Sequence, residues 1–219
     1  MISSSNRHAV HDGYGELTMY QAISNPITGE RMITRQLPDQ RNGYSSIVDL
    51  YAAPGAKVNG THVHPRSTET FTLLDGELEM NIDGHTQAAI PGQPVVVPPG
   101  TPHAWWNAGD AEARVLVQAS PEPDNRLNLM LSVLFTLADR GELDHEGMPV
   151  PPLREAFLYR YKDAIVYTDI EYANLQADPE SESLLATLEK REPRTVEFIE
   201  PIPAFVSKRQ LAEYYNFDE

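Results

Sequence analysis

The sequence of 219 residues predicts a mainly β fold, with a small barrel over residues 1–120 and a helical extension over residues 121–219. Three observations predict it. The first half is filled by short runs that alternate in polarity and are separated by turn residues. Asp75-Gly76 and Asp83-Gly84 sit between such runs, and Asp-Gly supplies the positive φ that tight hairpins need. Beyond residue 120 the apolar spacing changes from two to three and four, as on one face of a helix. Charge changes at the same place. Residues 1–120 carry 7 Lys+Arg against 12 Asp+Glu, and residues 121–219 carry 10 against 20.

Taken in order, strands are expected at 18–24, 31–37, 45–52, 61–64, 69–74, 77–82, 86–90, 94–97, 103–108 and 113–118. Two Asp-Gly hairpins in succession among them imply antiparallel sheet. Asp124 or Asn125 caps a helix running to about residue 140, where Gly141 stops it. In that helix Asn128, Ser132 and Thr136 form one narrow polar stripe. A helix so apolar elsewhere must be buried against the barrel or a second subunit. Pro151-Pro152 introduces a helix over 153–167, and further helices are expected over 178–191 and 207–215. The last has a Ser207/Gln210 capping pair, and a charged, proline-bearing connector over 192–204 precedes it.

Composition narrows the function. An apolar content of 41% is that of a globular chain, and a net charge of −15 argues against nucleic acid, for which a basic stripe is expected. The same charge opposes an anionic membrane surface. With no cysteine there is no disulfide, thiolate metal site or cysteine nucleophile. Residues 1–15 are polar and lack the apolar core of a signal peptide. The longest apolar stretch, residues 127–138, is far short of the roughly 20 residues that span a bilayer. A cytoplasmic location is the expectation.

The chemistry-bearing residues fall in two segments. The first runs Pro54, Gly55, His62, His64, Glu69 and Gly76, and the second runs Gly92, Pro98, Gly100, His103 and Asn107. His62 and His64, two apart on a strand, point to one face of the sheet. Glu69, Phe71 and Leu73 share a face of the next strand, as do Leu78, Met80 and Ile82, and as do His103, Trp105 and Asn107. If that face is the barrel interior, three imidazoles and a carboxylate project into a cavity lined by Phe71, Met80 and Trp105. Such a mixed nitrogen and oxygen set suits a divalent first-row metal. The rigid turn Pro98-Pro99-Gly100-Thr101-Pro102 delivers His103 to the start of its strand. His8, His11, His85 and His145 read as surface or structural histidines, His85 at a hairpin tip.

These two segments resemble the two motifs of the cupin superfamily. The second matches at every spacing; the first has six residues rather than the usual five between Gly55 and His62. The resemblance covers about residues 45–118. It implies a double-stranded β-helix (jelly-roll) barrel with His62, His64, Glu69 and His103 as ligands of one divalent transition metal, iron, manganese, nickel or zinc. Such a shell leaves two positions of an octahedral ion for a bidentate substrate or for substrate and O2. The leading expectation is therefore a metal-dependent dioxygenase acting on a small molecule that chelates through adjacent oxygens. Glu69 is expected to serve also as proton acceptor, and Phe71, Met80, Trp105 and Asn107 as substrate contacts. One alternative is an isomerase, cyclase, lyase or decarboxylase using the metal as Lewis acid, although no acid or base besides Glu69 stands out in the barrel. The other is a binding module without catalysis. A homodimer is expected because sheets of this family often pair. Arg154, Tyr159, Arg160 and Tyr161 of the tail are expected on a solvated helix face or at a dimer contact.

Overall fold

The computed structural model describes residues 21–190. The expected helix over 207–215, the connector over 192–204, the polar stretch 1–15 with His8 and His11, and the start of the strand expected at 18–24 lie outside the described residues. Two antiparallel sheets form the barrel. In the first, β1 (Gln21–Asn25), β2 (Glu30–Gln36), β3 (Ser46–Ala52), β10 (Ala113–Ser120), β5 (Thr68–Asp75) and β8 (Pro94–Val97) lie side by side in that order. In the second the order is β11 (Val166–Tyr167), β4 (His62–Val63), β9 (His103–Trp106), β6 (Glu79–Ile82) and β7 (His85–Ala88). This is the mainly β jelly roll that the sequence predicts.

Alternation governs which side chains enter the core. Phe71 and Leu73 of β5, Val115 of β10, Met80 of β6 and Trp105 of β9 are all buried between the sheets. Asp83 (φ 50°) and Gly84 (φ 80°) close the β6–β7 hairpin, where Ile82 faces His85 across a two-residue turn. The other Asp-Gly pair does something else. Asp75-Gly76 was expected to close a hairpin, yet β5 and β6 lie in different sheets, so the pair carries the chain from one sheet to the other. Gly76 sits at φ 81°, and a Cβ there would lie 2.7 Å from Ala113 Cα. Only glycine fits that crossing.

Three helices follow, α1 (Arg126–Asp139), α2 (Leu153–Tyr161) and α3 (Pro179–Glu189). The start of α1 departs from expectation. Asn125 precedes it in a left-handed conformation and makes no side-chain cap. Glu122 takes that job, accepting from Leu127 N at 3.2 Å while itself held by the Ser67 hydroxyl. As predicted, α1 is largely buried, through Met130, Val133, Leu134 and Leu137 among others. The helix expected over 153–167 ends at Tyr161. The chain turns through Ala164 and Ile165, both of whose amides return to Tyr161 O, and Val166–Tyr167 pairs with β4 as the outermost strand of the second sheet.

One cluster of buried apolar side chains runs from Phe71 and Trp105 in the barrel to Met130, Phe157 and Leu185 in the three helices. Arg154, Arg160 and Tyr161 bind their own neighbours. Arg154 pairs with Asp144, Arg160 with Glu182 and Glu189, and the Tyr161 hydroxyl donates to Glu189 at 2.8 Å. Tyr159 is exposed, under Lys162. Among the described residues no helix is long and apolar enough to cross a membrane.

Candidate metal centre

His62 opens β4, His64 follows it, Glu69 lies near the start of β5 and His103 opens β9. The register brings them together, for His62 and His103 are direct cross-strand partners. All four side chains are buried, and one donor atom from each lies within 4.8 Å of the others. Glu69 Oε2 stands 3.0 Å from His103 Nε2 and 3.1 Å from His64 Nε2. The His62 and His103 rings are 4.3 Å apart.

Each imidazole is aimed by a backbone carbonyl. His62 Nδ1 lies 3.3 Å from Gly60 O, His103 Nδ1 lies 3.0 Å from Thr101 O, and His64 Nδ1 lies 2.7 Å from Ala164 O. A carbonyl accepts only, so each Nδ1 carries a hydrogen and each ring turns its Nε2 toward the shared centre. The proline turn contributes as well, because Gly100 N donates to His64 O at 2.9 Å.

This arrangement fits a divalent ion. Two ligands about 2.1 Å from an ion and at right angles are about 3 Å apart, the separation seen between Glu69 Oε2 and its two histidines. Carbonyls bound to the outer nitrogens are what metal-ligating histidines ordinarily have. Burial, together with the neighbouring His64 and His103, pushes His62 down to about 3, so it is neutral and available as a ligand. Burial opposes the Glu69 anion, but His64 and His103 outweigh it and hold the carboxyl well below the usual carboxylate range. For His64 burial acts downward and the Glu69 carboxylate reverses it, leaving the ring raised.

A cavity of about 70 Å³ adjoins His62, His64 and Glu69. Its wall is mainly apolar and includes Phe71 and Trp105, as expected, together with Leu127, Met130 and Leu131 of α1 and Ile165 of the tail. The two other residues named as substrate contacts lie elsewhere. Met80 is fully buried behind the wall and is not part of the lining. Asn107 is a brace: its Nδ2 donates to Ala52 O, Ala53 O and Ala111 O, and its Oδ1 accepts from Gly109 N. Both hydrogens of that amide are spent on the backbone, and its burial leaves it outside the cavity lining.

Two groups at the cavity escaped the sequence reading. Asn128, the first member of the polar stripe of α1, reaches inward and donates to Ser46 Oγ at 2.8 Å. Glu30, the first residue of β2, is buried in the lining, and its carboxyl accepts from Thr28 Oγ1 at 2.5 Å. Burial pushes its carboxyl up to about 7, a rise only partly offset by that hydroxyl. The signal available for Glu30 was its place in the alternation of β2, two before Met32.

Comparison with known proteins agrees with this geometry. Residues 50–118 match the family model of the cupin domain, Cupin_2. Polyketide synthase CurC of Streptomyces cyaneus is 35% identical over 68 residues, which are 31% of this chain and 44% of that protein. Germin-like protein 9-3 of Oryza sativa subsp. japonica is 35% identical over 107 residues, 47% of this chain and 50% of that protein. The chain thus spans half or less of the length of these two curated relatives. Among solved structures, KdgF from Halomonas sp. aligns with a TM-score of 0.42 at 20% identity, over 50% of this chain and 92% of that one.

Proposed function

Because the barrel of this chain is a cupin domain, we propose that the protein is a metal-dependent enzyme acting on a small organic molecule that chelates through adjacent oxygens, foremost as a dioxygenase. The observation that carries this reading is the convergence of three carbonyl-aimed imidazoles and one carboxylate at the edge of a largely apolar cavity. A divalent ion held by His62, His64, Glu69 and His103 supplies Lewis acidity and, if it is iron, manganese or nickel, a meeting point for substrate and O2. The chain's own part is to fix the ligands, to keep bulk water out with Phe71, Trp105 and α1, and to present substrate oxygens to the cluster.

Glu30 favours a second reading, in which the same centre serves an isomerase, cyclase, lyase or decarboxylase. That chemistry needs a group able to hold and release a proton near neutrality, and Glu30, at the far end of the cavity wall, could serve a substrate long enough to reach it from the cluster. A small-molecule substrate is common to both readings; the homodimer and the cytoplasmic setting belong to the proposal as well.

The deciding experiment is elemental analysis of protein purified without an affinity tag, beside a His62→Ala/His103→Ala variant, followed by oxygen-electrode assays with chelating compounds. Near-stoichiometric iron, manganese or nickel that the variant lacks, with substrate-dependent O2 uptake, is the expected result. Turnover without O2 uptake selects the Lewis-acid reading. Failure to retain any divalent metal, even after incubation with each candidate, overturns both.

A further inference from the structure

The cavity has a direction that the strand pairing makes plain. Glu69 of β5, Ala119 of β10 and Ser46 of β3 stand in one row across the sheet, next to the histidine cluster. The next row holds Phe71, Val117 and Val48, and the one beyond it Leu50 and Met32. Glu30 stands in the fourth row, opposite Ala52. All of these except Ala52 line the cavity, so its wall passes from metal ligand through two apolar rows to a single carboxyl. Three steps of two residues are about 20 Å of strand. A cavity of only about 70 Å³ bounded by these rows is a slot that a slender, unbranched molecule fits better than a bulky one.

Behind the far end of the slot, outside its lining, stand two more buried polar side chains. Asn25 of β1 stands directly across from Glu30. It is fully buried, and its Nδ2 has no hydrogen-bond partner among the described residues. Its orientation is fixed, because Oδ1 accepts from Ile27 N at 3.0 Å. Asn59 is also buried, with Nδ2 donating to Gly147 O at 2.8 Å and Oδ1 left without a partner. Orphaned buried polar atoms are costly, but neither asparagine lines the cavity, so at this end the polar group open to a ligand is Glu30.

We propose that Glu30 is the second recognition point of the slot, a neutral carboxyl that donates a hydrogen bond to a carbonyl oxygen of a slender substrate whose chelating end lies at the four-residue cluster. This rests on the metal-centre reading above and deepens it by naming the substrate class: an unbranched molecule with chelating oxygens at one end and a carbonyl acceptor at the other. The groups around Glu30 do not compete for its proton near neutrality. Burial raises the Tyr167 hydroxyl of β11, with Tyr172, Glu30 and Asp169 adding to the rise, so it keeps its proton. His62 of β4, 6.0 Å from the Tyr167 ring, is held at about 3 and stays neutral. Asn25 on β1, Thr28 before β2 and Ala52 on β3 do not titrate.

The test is calorimetric titration of the zinc-loaded full chain with two matched sets of unbranched hydroxamates of increasing length, one plain and one bearing a ketone toward the far end. At one length, and at about pH 6, the ketone form should bind roughly five- to tenfold tighter than its plain partner, the worth of one good hydrogen bond. At about pH 8.5 the preference should vanish as Glu30, near 7, loses the proton it donates. The hydroxamate's own ionisation is common to both sets and cancels. Glu30→Gln, which keeps an N–H donor, should retain the preference at both pH values; Glu30→Leu should abolish it while leaving plain hydroxamates bound. Equal affinities at every length, or a preference that survives Glu30→Leu, overturn the proposal. If neither set binds although zinc is present by elemental analysis, the metal-centre reading falls and takes this one with it.

Discussion

The imidazole of His64 is held by a carbonyl from the far side of the sequence, with Nδ1 2.7 Å from the oxygen of Ala164, one hundred residues away. His62 and His103 take their carbonyls from two residues earlier on their own strands, Gly60 and Thr101. The motif region therefore orients two of its three imidazoles, and the helical tail orients the third. The tail also gives β11 to the edge of β4 and Ile165 to the cavity wall.

Ending the chain after residue 120 removes all of this together with α1, whose apolar side chains are buried against the rest of the core. Each large apolar residue so exposed forfeits roughly 1.5–3 kcal/mol. The shortened barrel should be insoluble or unfolded, as judged by circular dichroism and sedimentation. A soluble barrel with a cooperative melt would show that the tail is a separate module.

Asn107→Ala should cost stability and spare metal binding. Nδ2 donates to three backbone carbonyls; Ala53 O keeps its bond from Ala56 N, and each of the other two, if left unpaired, costs about 1–3 kcal/mol. Denaturant titration should show a loss of several kcal/mol, while zinc affinity of the variant at low temperature should match the wild type. A loss confined to ligand affinity, with stability intact, would restore Asn107 as a substrate contact.

Glu30 gives stability a pH dependence of defined sign. Its folded value of about 7 lies above the ordinary 4.5, so the folded chain binds the extra proton between those limits and stability falls as pH rises through them. The contribution is complete below about pH 4.5 and gone above about pH 7. Two and a half units correspond to about 3 kcal/mol. Urea unfolding of wild type and Glu30→Gln across this window should show curves that differ in slope; parallel curves would place Glu30 in contact with water.

At the sheet crossing, Gly76→Ala should be among the most damaging small changes. It meets the left-handed penalty of about 1–2 kcal/mol and a Cβ 2.7 Å from Ala113 Cα, which is backbone and cannot step aside. The melting temperature should drop by several degrees, whereas Gly84→Ala, where nothing lies within 4 Å of the added Cβ, should lose only the conformational part.

The four proposed ligands were legible because period-two alternation fixes which face a strand residue enters, and the spacing of His62, His64, Glu69 and His103 obeyed it. Most strands were legible for the same reason. What escaped was long-range. Asp75-Gly76 carries the same turn chemistry as Asp83-Gly84, and nothing local says that one joins partners in a sheet and the other links two sheets. The apolar run Ala164–Tyr167 continues a helical pattern; only pairing with β4 makes its end a strand. Met80 has the right parity for the cavity but is covered by its neighbours, and Glu30 lies outside both motif segments, where a single charged residue on an early strand reads as surface.

The bond from Ala164 to His64 also sets an order of events at the ribosome. Chains emerge at about 5–20 residues per second, so some 5–20 seconds separate synthesis of His64 from that of the carbonyl that orients it. For the part of that interval after His103 has been made, the nascent chain holds all four candidate ligand side chains with the His64 imidazole still free to turn, and without the strand that pairs with β4. The surroundings of the cluster are therefore complete only once Ala164 and Val166–Tyr167 have been made, about sixty residues after His103, the last of its own side chains.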